Sequence, residues 1–173
     1  MVRIRETLKS NGGNVYIWLI ILVFTFAGVT ALVFDFANLY IKSKQVKHAM
    51  NRATLAGALA VREGDGMADG VFLIDPDAAQ DNFRAVLAHN LGLDETTLEP
   101  LPGSILSGRP EIKELAVEND YPSSYVSTTL GRAYSIEHPS VIAVVEFTVR
   151  GMLIRKTLVV DKLSGSQLTS VYD

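Results

Sequence analysis

The sequence predicts an α+β fold: a long N-terminal transmembrane-plus-stalk helix, then a small antiparallel β-sheet head domain with one packed helix. Three observations lead there. Residues 15–34 (VYIWLIILVFTFAGVTALVF) carry no charge, and proline-free, helix-compatible sequence continues beyond them to Arg62. The remainder holds one capped helical segment and two β-rich runs joined at a glycine. With 173 residues there is room for one head of ordinary size. The chain divides into a basic leader (1–13), a spanning and stalk helix (14–62) and an α+β head (63–173).

The uncharged run sets the class. At about 1.5 Å per helical residue, residues 15–34 cover roughly 30 Å, the thickness of a bilayer's hydrocarbon core. Tyr16 and Trp18 suit an interfacial belt, and Asp35 ends the run abruptly. A cleaved secretory signal is the main rival, but its apolar region is shorter and stops at a small-residue cleavage site. Here helical sequence runs straight on, so the segment is expected to stay on the mature protein, with membrane lipid as its partner. Charge does not settle the topology: Arg3, Arg5 and Lys9 precede the run, whereas Lys42, Lys44 and Lys47 follow it.

Past Asp35, the positions Phe36, Leu39, Ser43, Val46, Met50, Ala53, Gly57 and Ala60 recur in alternating steps of three and four, the spacing of a packing seam. Ala53 and Gly57 form a small-xxx-small pair that lets backbones approach closely. Two partners fit the seam, the chain's own head or other subunits. On the second reading, Leu at Ala53 or Gly57 spoils assembly and spares the head. The helix is expected to stop in 63–70 (EGDGMADG), a glycine- and aspartate-rich turn segment. Residues 36–62 hold five cations and no acid, whereas 63–173 hold seventeen acids and eight cations. A basic stalk and an acidic head attract each other between subunits, and salt weakens that attraction.

In the head, Asp75 and Pro76 read as N-cap and first-turn proline, and Ala79, Phe83, Val86, Leu87 and Asn90 follow helical spacing up to Gly92. Residues 98–110, with three prolines, read as loop, and 111–118 as a strand. Residues 121–131, rich in Ser, Thr and Tyr, read as an exposed connection. Its 121–129 stretch is an ordinary polar loop or a partner-binding surface. Residues 141–150 and 152–161 flank Gly151 as two strands of a hairpin.

No catalytic constellation is present. His48, His89 and His138 lack mutual ligand spacing, and there is no cysteine for thiolate chemistry. Asp75, Asp77 and Asp81 lack the glycine and terminal glutamate of a calcium loop, and suit a helix start instead. No phosphate-binding or dinucleotide-binding glycine motif occurs. The expectation is a non-enzyme without cofactor or metal. An acidic head also argues against nucleic acid as a partner.

The most specific pattern lies along the helix. Gly13-Asn14, the apolar run, Val33-Phe34-Asp35-Phe36-Ala37-Asn38-Leu39-Tyr40 and the Ala-rich stretch 49–58 resemble the N-terminal region of TadE/TadG-like proteins of Flp-type (tight adherence) pilus systems. The similarity covers about 12–60. Asn51 stands where the family often has an acid, and the glutamate that some members carry just inside the processed terminus is missing. The resemblance implies a type IV pilin-like N-terminal helix with the head on the outer face of a cell membrane, alone or in an extracellular filament. It also implies a processing site at Gly12, Gly13 or Asn14 for a prepilin peptidase. Its partners would be copies of itself or other pilus and assembly subunits, met through Asp35, Leu39, Val46, Met50, Ala53, Gly57 and Ala60. Asp35 either pairs with a cation on a neighbouring helix or merely ends the span. The expected function is a structural or assembly role in a pilus-like surface or secretion system. The alternative is a membrane-tethered extracytoplasmic binding or sensor domain.

Overall fold

A computed structural model describes residues 12–62, 72–153 and 157–168. The leader up to residue 11 and the 63–70 turn lie outside them. The elements run α1 (Gly12–Ala58), α2 (Pro76–Leu91), β1 (Glu111–Glu118), β2 (Ser123–Val126), β3 (Ala133–Ile136), β4 (Ser140–Arg150) and β5 (Thr157–Gln167). The fold is α+β, with the long apolar helix first and antiparallel sheets after it.

α1 is one unbroken helix of 47 residues, roughly 70 Å long. Its two halves have different surroundings. Residues 14–29 are exposed throughout, so side chains such as Ile17, Leu22 and Phe26 are not buried by the described residues of the head. This is the one helix among the described residues long and apolar enough to cross a membrane, and none of its most apolar window is buried. From Asp35 onward the helix enters the head and becomes part of its core. Leu39, Val46, Ala49, Met50 and Ala53 are buried in one cluster with Phe83 and Leu87 of α2 and with Ala143, Val145, Phe147 and Val149 of β4. Burying such an aliphatic or aromatic side chain is worth about 1.5–3 kcal/mol.

The helix closes at Ala58, before the 63–70 turn expected to stop it. No proline or glycine lies in 58–62; tertiary pairing ends the helix instead. Val61 forms an antiparallel bridge with Ile74, the Arg62 N–H donates to Leu73 O, and the Asp75 N–H donates to Ala60 O. The Asn119 side chain holds this ladder by bonding both the N–H and the C=O of Ile74.

α2 follows its sequence signals. Asp75 Oδ1 accepts from the Asp77 and Ala78 N–H groups at 3.0 and 3.1 Å, Pro76 opens the helix, and Gly92 closes it in the left-handed region at φ 66°. Ala79, Phe83, Leu87, Ala88 and Leu91 face the core.

The main sheet is antiparallel in the order β1-β4-β5. Central β4 is buried over nearly its whole length because both of its faces are covered. Its odd-numbered residues meet α1 and α2. On the other face lies the β2–β3 hairpin, whose Tyr134 ring sits where a Cβ on Gly165 would fall. The expected hairpin at Gly151 is present with a later start to its second strand. Arg150 pairs with Thr157, and β5 continues to Gln167.

Residues 121–131 are not the plain exposed connection that their composition suggests. Ser123–Val126 pair with Ala133–Ile136, and Ser127 is fully buried. Four-residue strands of Ser, Tyr and Val give too short an alternation to stand out from loop composition.

The small residues of α1 are needed for this packing. A Cβ on Gly57 would lie 3.1 Å from Ala79 O and 3.3 Å from a Val141 methyl. Gly57→Leu should therefore destabilise the head itself, by about 1–3 kcal/mol from overpacking, which reverses the expectation that the head is spared. Thermal unfolding of the full chain in detergent reads this out as a lowered Tm.

Candidate functional site

The residues singled out in the sequence converge on one face of α1, and that face is filled by the chain's own head. Leu39, Val46, Met50, Ala53 and Gly57 are all buried in it, and Ala60, just past the end of the helix, is buried as well. Of the two partners open for the seam, the structure places the head of the same chain there, so these side chains are not an exposed intermolecular surface. Phe36 lies off the seam and is exposed, and Asp35 takes the position nearest the apolar run instead. Gly12 and Gly13 form the start of α1, and Asn14 is exposed.

Beside the apolar seam runs a line of polar contacts from α1 to the β4–β5 hairpin. Next to the apolar run, Asp35 is 4 % exposed, and its Oδ1 accepts the Met152 N–H at 2.6 Å and the Leu153 N–H at 2.9 Å. Gly151 lets the turn come this close, since a Cβ there would lie 2.6 Å from Asp35 Oδ2. Two turns on, Lys42 Nζ donates to Arg150 O at 2.9 Å. Lys47 Nζ donates to Leu163 O; burial, and then neighbouring Lys162, lower its pKa below the usual lysine value. Farther along, Asn51 Oδ1 accepts from Ser164 Oγ at 2.7 Å. The Thr54 hydroxyl meets Ser164 Oγ at 3.2 Å and Ser166 Oγ at 2.9 Å.

Two expectations from the sequence change in this light. Asp35 neither merely ends the apolar run nor waits for another helix; its carboxylate caps two backbone N–H groups of the hairpin turn, 117 and 118 residues away. The basic stalk does not present all its cations outward either, because Lys42 and Lys47 bind carbonyls of their own head, and Arg52 Nη1 donates to Asn90 Oδ1 at 3.1 Å. Sequence reasoning missed Lys42, Lys47, Asn51 and Thr54 as packing residues. Their partners are main-chain oxygens and serines far along the chain, which leave no local pattern.

The Ser/Thr/Tyr cluster has an internal partner as well. Glu114 on β1 accepts from Tyr125 Oη at 2.8 Å, Thr128 Oγ1 at 2.8 Å and the Thr129 N–H at 2.6 Å. Burial by itself would raise this carboxyl's pKa, but the donors from Thr129, Thr128 and Tyr125 outweigh it and hold the value at about 2. Burial, and then the bond to Glu114, push Tyr125 up to about 12.

Among the described residues, no group of three or more His, Asp or Glu side chains is placed to hold a metal. No family model, curated protein or solved structure matches the chain. The class therefore rests on the molecule itself: an α+β head built around the second half of a helix whose first half is bare and apolar.

Two outcomes follow. Asp35→Ala leaves the Met152 and Leu153 N–H groups without this acceptor, and should cost about 1–3 kcal/mol. Amide exchange at 152 and 153 should quicken, with Asp35→Asn, which keeps an acceptor oxygen, largely restoring protection. Glu114 has a folded pKa below its unfolded value, so its stabilisation is complete above about pH 4.5 and fades as pH falls toward about 2. Acid titration followed by exchange in β2 and β3 should show loosening in that window, and Glu114→Gln should abolish the pH dependence.

Proposed function

We propose that this chain is a single-pass membrane protein with its head outside the cytoplasm, serving as a structural subunit or assembly protein of a pilus-like bacterial surface system. The observation that carries the reading is the division of α1: its first half is apolar on every side and stays exposed among the described residues. Water is a poor solvent for such a rod, and two surroundings suit it, a bilayer or a bundle of like helices. The resemblance of residues 12–60 to TadE/TadG-like proteins supports the choice of system. The head contributes contact surfaces, among them exposed Tyr121 and Val126 near the β2–β3 hairpin.

One observation favours a second reading, a membrane-tethered binding or sensor domain. The seam from Leu39 to Ala60 is occupied by the head itself and not by a neighbouring stalk, as suits a head that works on its own tether.

The chain has no cysteine, so a single introduced one reports topology cleanly. Glu137→Cys, at an exposed position, should be labelled by a membrane-impermeant maleimide on intact cells. The chain should appear in sheared filaments if it is a subunit and stay in the membrane fraction if it is an assembly factor or tethered domain. Labelling only after lysis refutes the outward head, and recovery as a soluble monomer without detergent refutes the anchor.

A further inference from the structure

We propose that Met152 and Leu153, in the first half of the β4–β5 turn, form a second membrane contact, seated at the boundary between headgroups and acyl chains. The inference rests on the reading of α1 as a membrane span and adds a lipid-facing surface on the head. Its basis is a tie in the geometry. Asp35 is the first residue after the uncharged run, so it marks the end of the hydrocarbon layer for a helix crossing there. The same carboxylate binds the backbone of Met152 and Leu153 at 2.6 and 2.9 Å, which fixes the turn at that level.

With their N–H groups held by Asp35, the two side chains point away from the protein. Met152 is 73 % exposed and Leu153 57 %. Leu158 and Val159, at the start of β5, are exposed beside them. Gly, Asn, Asp and Ser are the usual residues of a turn that faces water; past Gly151, the described part of this one presents a thioether and an isobutyl group. On α1 the exposed residues Phe36 and Tyr40 lie at the same end, within about 8 Å of Asp35 along the axis. Lys44 stands over the Tyr40 ring at 5.5 Å. Apolar and aromatic side chains below, with a lysine above, match an interfacial layer, in which protein groups sink about 5–10 Å. A lipid surface fits this end better than a second copy of the chain does, because Met152 and Leu153 are held at the residue that ends the apolar run and add exposed apolar surface at that level.

Trp18, the only tryptophan, lies within the span and reports on it independently. The full chain is reconstituted in vesicles of phosphatidylcholine and phosphatidylglycerol carrying bromine at shallow or deep acyl positions. Wild-type Trp18 emission should be quenched. In Trp18→Phe/Met152→Trp the new indole should emit to the blue of its value in water and lose intensity to shallow bromines more than to deep ones. Leu153→Trp in the same background guards against a local misfolding of the first variant. Quenching of Trp18 with neither turn variant quenched overturns the proposal while the span stands. A blue-shifted but unquenched turn indole overturns it in favour of a protein neighbour. An unquenched Trp18 removes the span and the turn contact together.

Discussion

A single continuous helix has to satisfy two surroundings at once, and the rest of the molecule is arranged around that constraint. Up to about residue 29, α1 is apolar on all sides and exposed among the described residues. From Asp35 to Ala58 it supplies the central ridge of a hydrophobic core, with β4 and α2 against it. Neither half is separable from the other, because no proline, glycine pair or change of helix type interrupts the backbone between them. The head is thus not a domain hung on a stalk; removing the stalk would remove Val46, Met50 and Ala53 from its interior.

The attachment of helix to sheet combines two kinds of interaction. The apolar seam contributes most of the burial, and it is tolerant of direction. The polar contacts beside it, from Asp35 through Lys42 and Lys47 to Asn51 and Thr54, are directional and fix how far along the hairpin the helix sits. A one-residue slip would separate the Asp35 carboxylate from its two N–H donors and leave them unpaired, which costs more than the bonds contribute when made.

Much of this was legible in the sequence, for reasons that differ by element. α2 was read closely because Asp75, Pro76 and Gly92 are local signals whose partners lie within a few residues. The bare half of α1 was read from composition alone, since a helix of that length without a charge on any face suits lipid and little else. β4 and β5 showed themselves through β-branched residues on either side of Gly151. The partner of the seam was not legible: the spacing of Leu39, Val46, Met50 and Ala53 is the same whether the facing surface belongs to this chain or to another. The end of α1 at Ala58 was missed because pairing with 73–75, not a breaker residue, terminates it. The role of Asp35 was missed because its donors come from more than a hundred residues away.

The unbroken passage from bare helix into core has a mechanical consequence. A rod with no joint hands its inclination to whatever is welded to it. Between Asp35 and Ala58 the rod runs roughly 35 Å, so a change of about 20° in its angle to a bilayer would swing the far end of the head sideways by roughly 12 Å. The head behaves as a pointer on a stiff lever, and events among neighbouring helices would be displayed at its outer surface with their amplitude enlarged.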